Sequence, residues 1–146
     1  MRRTAAIVSA CVIALGVPTA FAGDGKKYKG DFSGSGEMSF KVEKRQNGKK
    51  VVNYKFRDLA VTCGGIPKLT SGHLTFAVSV DKNKFSTKAF VGNPNNPKSA
   101  LKLKGELNKN KADGTLHVFG SEVYVGGEPP ERDECDSGKT NWNASR

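Results

Sequence analysis

From Tyr28 to Ala144 the chain keeps placing apolar residues at every second position. Nowhere after Gly23 does it place them three and four apart for three helical turns. Period two is the spacing of a strand with one buried face, so the pattern confines this chain to β-structure. Met38, Phe40 and Val42 alternate with Ser39, Lys41 and Glu43. Leu74, Phe76, Val78 and Val80 alternate with Thr75, Ala77 and Ser79, and Leu101, Leu103, Gly105 and Leu107 with Lys102, Lys104 and Glu106. In the closing stretch Cys135–Ala144, Gly138, Thr140, Trp142 and Ala144 share one parity; Lys139, Asn141 and Asn143 take the other. This stretch holds the only Trp, which is expected to plug the core.

Turn signals divide the pattern. Tyr28, Gly30 and Phe32 open a first strand that Gly34-Ser35-Gly36 breaks. Gln46-Asn47-Gly48-Lys49 is a hairpin signal, since Asn-Gly accepts positive φ. In the return strand Val52, Tyr54 and Phe56 have one parity and Leu59, Val61 and Cys63 the other, so a bulge is expected near Arg57-Asp58. Gly64-Gly65-Ile66-Pro67 is expected to end that strand and Ser71-Gly72 to start the next arm. Asp81–Lys84 turns the chain; Phe85, Thr87, Ala89 and Val91 then face inward, with Phe90 outward. Gly92–Pro97 reads as a loop, and polar Asn108–Gly114 ends in an Asp-Gly turn signal. Leu116 and Val118 continue inward, and Val123 and Val125 flank Tyr124. Gly126–Glu134, acidic and proline-rich, reads as a loop. The expected fold is all-β: a single antiparallel meander of about eight strands, a curled sheet or small barrel, with a two-sheet β-sandwich as the alternative.

The N-terminus has a different logic. Arg2-Arg3, the apolar run Ala5–Val17 and the small residues of Ala20-Phe21-Ala22 make the three-part pattern of a secretory signal peptide. The run is shorter than the ~20 residues of a membrane span. Val8-Ser9-Ala10-Cys11 has the letters of a lipobox, but the apolar run continues past Cys11. Residues 1–22 are therefore expected to be a leader and 23–146 a single exported β domain. Export removes Cys11 and leaves Cys63 and Cys135, an even pair for an oxidising compartment and hence an expected disulfide. Loss of Arg2 and Arg3 takes two charges from a net +10, which leaves a strong excess of base, mostly lysine.

The leader, Tyr28-x-Gly30, Cys63 at a strand end, the exit Gly114-Thr115-Leu116 and the closing Cys135-x-x-Gly138-x-x-x-Trp142-x-Ala144 resemble a group of small secreted bacterial β-rich proteins. The resemblance spans most of residues 23–146. It implies the β fold, the disulfide and the extracellular or cell-envelope location, and brings neither an activity nor functional residues.

Chemistry is sparse. The two histidines, His73 and His117, stand at outward parity, and neither has a second His or a carboxylate at metal-ligand spacing. No G-x-S-x-G elbow occurs. The acids of Glu128–Asp136 lack the order of a hand-type calcium loop. No enzyme activity, metal or cofactor is expected. Asn143-Ala144-Ser145 fits a glycosylation sequon at the extreme C-terminus of what reads as a bacterial chain; its use is not expected. A single-strand nucleic-acid binder interleaves aromatics with its basic face; here most aromatics are inward and the lysines outward, so nucleic acid is not expected as a partner. The outward lysines Lys41, Lys55, Lys88, Lys102 and Lys104 point instead to anionic cell-envelope or extracellular polymers, or a membrane surface, bound by a monomer. The alternative is a carrier. Met38, Phe40, Tyr54, Phe56, Phe76, Leu101, Leu103 and Trp142 could line a cavity for a small apolar ligand, though at this length a filled core is the expectation.

Overall fold

The computed structural model describes residues 25–93, 96–121, 123 and 134–146. The expected leader, Cys11, Tyr124, Val125 and the acidic run Gly126–Asp133 lie outside the described residues. The strands are β1 (Lys26–Phe32), β2 (Glu37–Arg45), β3 (Gly48–Cys63), β4 (Ile66–His73), β5 (Val78–Asp81), β6 (Lys84–Asn93), β7 (Asn96–Asn108), β8 (Lys111–Gly120), β9 (Cys135–Asp136) and β10 (Thr140–Ser145). Among the described residues there is no helix, so none is long and apolar enough to cross a membrane.

All ten strands belong to one antiparallel sheet, which settles the choice against two packed sheets. Pairing follows chain order through β1, β2, β3, β5, β6, β7 and β8, the expected meander. β10 then enters between the first and last of these. Phe32 faces Trp142 on one side of β10, and Gly114 faces Trp142 on the other. The ladder thereby closes into a ring and leaves fewer free edges.

The ring's centre is filled. Phe40 is its hub, stacked on Tyr28 at 5.0 Å and near Tyr54, Phe85 and Trp142 at 6.1, 5.8 and 5.9 Å. Leu103 and Leu116 complete the packing without exposed surface. Burying a side chain such as Phe40 contributes roughly 1.5–3 kcal/mol, so this cluster is the main source of stability at this end.

At the other end β9 adds a second link between distant strands. β9 bridges β3, through Thr62–Asp136 and Cys63–Cys135, and β8, through Phe119–Asp136 and Gly120–Cys135. The expected disulfide joins the paired residues Cys63 and Cys135, Cα atoms 4.0 Å apart, both buried. Closing a loop of 72 residues is worth about 4 kcal/mol in the chain-entropy account.

Several local expectations need correction. The bulge near Asp58 is present: register slips between Phe56 and Leu59, and Asp58 has φ 53°. A second slip was not expected. Ser39 pairs with Lys55 but Lys41 with Val52, and Asn53 has φ 52°, so Val51 and Val52 are both buried. Gln46-Asn47 forms the hairpin tip, but positive φ falls on Gly48 (96°) alone. Gly64-Gly65 makes a two-residue turn with positive φ at both positions, so Ile66–His73 is a strand rather than a strand end and a new start. Pro67 is tolerated there because β4 pairs only with β3, and proline belongs on edges. Leu74–Ala77 are not strand, and Phe76, expected inward, is 45 % exposed. The Asp113-Gly114 turn signal is also overturned. The turn is Lys109-Asn110, and Gly114 lies inside β8 opposite Gly105.

Candidate functional site

The five sequence-derived lysines fall into two groups. Lys41 and Lys55 lie on the outer surface of β1–β3, where Lys27 pairs directly with Lys41 and Ser39 stands between Lys29 and Lys55. Lys27, Lys41, Lys55, Ser39 and Asn53 surround a shallow depression of about 350 Å³. Asn53 reaches this rim because the β2–β3 slip gives it a left-handed backbone, which asparagine accepts more readily than most residues. Among the described residues none of these lysines forms an ion pair; the pairs are Arg45–Glu43, Lys84–Glu106 and His117–Asp136. Like charges directly opposite in a ladder are destabilising, so the Lys27–Lys41 pair costs stability.

Lys88, Lys102 and Lys104 form the second group, on β6 and β7. Lys88 pairs with Lys102, and Lys104 with Ser86. Their chemistry is more committed. Lys88 Nζ sits 4.8 Å from the centre of the Phe90 ring and Lys102 Nζ 5.1 Å from that of Phe119, while Lys104 borders a depression that also holds Glu106 and Asp113. β2 and β7 are four strands apart whichever way the ring is followed, so the two groups do not make one surface. Sequence parity marks a side chain as outward without saying on which side of a closed ring it emerges.

His117 gains a partner that sequence spacing did not reveal. The β8–β9 ladder brings Asp136 to it, with Nε2 2.7 Å from Oδ1. The same oxygen accepts the Gly138 N–H at 2.7 Å, and the His117 ring tilts against Phe119 at 4.7 Å. Ser137 is adjacent, but its Oγ accepts the Val118 N–H and donates to the Gly138 carbonyl. Its hydroxyl therefore pins the turn before β10 rather than meeting the imidazole. Among the described residues no three metal-ligating side chains gather.

The inward apolar residues divide. Met38, Phe40, Tyr54, Phe56, Leu103 and Trp142 are buried. Leu101 and Phe76 instead border a cleft of about 430 Å³ between β4 with its following segment and β6–β7, along with Phe56, Leu74, Ala89 and Phe90. His73 also borders it. Two buried polar atoms, Tyr54 Oη and Trp142 Nε1, have no hydrogen-bond partner among the described residues, and burial pushes the Tyr54 phenol far up. Comparison with family profiles, with curated proteins and with solved structures finds no match for this chain.

Proposed function

We propose that this chain is an exported, non-enzymatic β module that holds anionic polymers of the cell envelope or extracellular space. The reading rests on one observation: Lys27, Lys41 and Lys55 surround a depression with Ser39 and Asn53 on its rim, and no carboxylate borders it among the described residues. Ammonium groups attract a polyanion and release its counterions, while the serine hydroxyl and asparagine amide donate directional hydrogen bonds to oxyanion oxygens. Lys29, the next outward residue of β1, borders a neighbouring depression with Lys55 and Arg57 but also with Asp31 and Glu37, so the carboxylate-free surface ends there. The surplus of positive charge in the whole chain adds long-range attraction, screened beyond about 8 Å at physiological salt. Carriage of an apolar ligand in the ring's centre is the weaker reading, because the Phe40 cluster occupies that space.

The test is retention on an anionic polymer column, polyphosphate or a sulfated polysaccharide, at low and high salt. Retention at low salt that is lost at high salt, and lost in a Lys27→Gln, Lys41→Gln, Lys55→Gln variant, is expected. Passage without delay at low salt ends the proposal.

A further inference from the structure

The inward columns of the ring finish alike at the end away from the disulfide. On β1 the column runs from Tyr28 to Lys26, on β2 from Phe40 and Val42 to Lys44, and on β3 from Val51 to Lys49. On β7 it runs from Leu103 and Leu107 to Lys109 in the turn beyond. The registers put the first three endings on one side of the sheet: Lys26 faces Val42, Val42 faces Val51 and Lys44 faces Lys49. Each column thus passes from apolar to cationic where the strands outrun the core. The four lysines border a recess of about 500 Å³ floored by Tyr28, Val42 and Leu107.

We infer that this recess binds a compact phosphate-class oxyanion carrying two or more negative charges.

Three observations choose this ligand. Charge is sorted by face. The acids of the adjoining strand ends, Glu43, Asp81, Glu106 and Asp113, stand at outward parity, and Glu43 and Glu106 pair with Arg45 and Lys84. Among the described residues no side-chain carboxylate borders the recess, and its four lysines form no ion pair. Lys44 and Lys49 oppose each other directly, which costs stability, so folding alone does not favour the cluster. The backbone around the recess is also tied down. Tyr28 Oη donates to the Lys109 carbonyl at 3.2 Å, and the Leu107 N–H to the Asn83 carbonyl at 2.8 Å. The Arg146 N–H donates to the Asn110 carbonyl at 3.0 Å, and its guanidinium to the Asn110 side chain. The segments that carry the cations are therefore set before a ligand arrives, which lowers the cost of binding. Convergence selects the shape. The lysines come from different strands around one mouth, whereas Lys27 and Lys41 lie on the opposite side of β1–β2 along an open surface. Point charges gathered over an apolar floor suit a small anion of high charge density, and ammonium groups accept phosphate oxygens from any direction.

The experiment titrates inorganic pyrophosphate into the oxidised protein at low salt, read by calorimetry and by the rise in unfolding midpoint. Binding is expected, tighter than that of orthophosphate and weakening as salt rises. Lys26→Gln with Lys44→Gln and Lys49→Gln should weaken it about tenfold or more. The same variant should not lower the midpoint of the free protein, since it relieves the Lys44–Lys49 repulsion. Lys88→Gln with Lys102→Gln and Lys104→Gln removes equal charge elsewhere and should bind as the parent does. Phosphatidylcholine vesicles with and without phosphatidic acid distinguish the source of the phosphate. Pyrophosphate binding without vesicle binding, or with vesicle binding that survives in the Lys26, Lys44, Lys49 variant, assigns a soluble ligand. Binding of both that is lost together in that variant assigns a lipid headgroup. The inference is overturned by no pyrophosphate binding at low salt, whatever the vesicles do, or by equal affinity for orthophosphate. Equal loss in the two triple variants would overturn it as well, by reducing the effect to net charge.

Discussion

Trp142 stands directly opposite Gly114 in the β8–β10 ladder, and its indole lies over the pair that Gly114 makes with Gly105 of β7. A Cβ on Gly114 would fall 2.5 Å from indole Cζ2 and would collide with the Lys104 carbonyl; one on Gly105 would fall 2.8 Å from the same carbon and collide with the Phe85 ring. The ring closes over its largest side chain because two facing strands carry nothing at that point.

Gly114→Ala is expected to destabilise by about 1–3 kcal/mol through overpacking, and by more than Gly105→Ala. At Gly114 the collision includes backbone, which cannot rotate away; at Gly105 it involves only aromatic rings. Urea unfolding midpoints decide the order. Phe85→Leu shortens the ring that obstructs Gly105, so the double variant should lose less than the sum of the single losses.

Removing the Cys63–Cys135 bond by a double serine substitution is expected to cost roughly 2–5 kcal/mol. β9 is two residues long and keeps few ladder bonds once the bond is gone. Amide exchange should therefore rise at Thr62, Cys63, Phe119 and Gly120 before it rises at β1 or β10. Equal unfolding midpoints with and without reductant would contradict this.

Tyr54→Phe removes a buried hydroxyl that has no partner among the described residues and keeps the ring on Phe40. An unsatisfied buried polar group costs about 1–3 kcal/mol, so this variant should be at least as stable as the parent. The alkaline limb gives a second reading. Burial raises the folded phenol above its unfolded value of about 10. Above that pH the unfolded chain has released this proton and the folded chain has not. Stability is therefore full below about pH 10 and falls as pH rises further, by up to about 1.4 kcal/mol per unit from this group. Tyr54→Phe should flatten that slope; an unchanged alkaline slope would show that the residue does not carry it.

Lys27→Glu turns a like-charge cross-strand pair with Lys41 into an opposite-charge one and should stabilise the fold by roughly 0.2–1 kcal/mol. The same change should reduce polymer retention. For B-DNA the log–log salt slope falls by about 0.9 per lost phosphate contact, so loss of Lys27, Lys41 and Lys55 should flatten the slope by nearly three on a polyanion of similar charge density. Loss of Lys88, Lys102 and Lys104 should flatten it less. Equal slopes for the two triple variants would show that the β1–β3 surface has no special role.

Much of the fold was legible because it is written locally. Met38–Val42, Leu101–Leu107 and Thr140–Ala144 alternate in the sequence and alternate in burial. The parity conflict between Phe56 and Leu59 located the Asp58 bulge, and counting cysteines beyond the expected leader pointed to the disulfide pair. β4 was not legible. Its inward positions are Lys68, Thr70 and Gly72, which carry no apolar signal, and Pro67 argues against a strand unless its edge is known to be free. Gly114 misled for the opposite reason. Its neighbour Asp113 makes a turn signal, while the cause of the glycine is an indole 28 positions away, seen only through the ladder.

The amino-acid order determined period and parity on its own: β-structure across the described residues and most of the side chains that hide. These depend on near neighbours, and the pleat converts them into faces without further information. Tertiary structure alone decided where the ring closes, which lysines stand together and that His117 meets Asp136. Those outcomes depend on register and on which strands become neighbours, and both are set by the fit of distant side chains in one shared core.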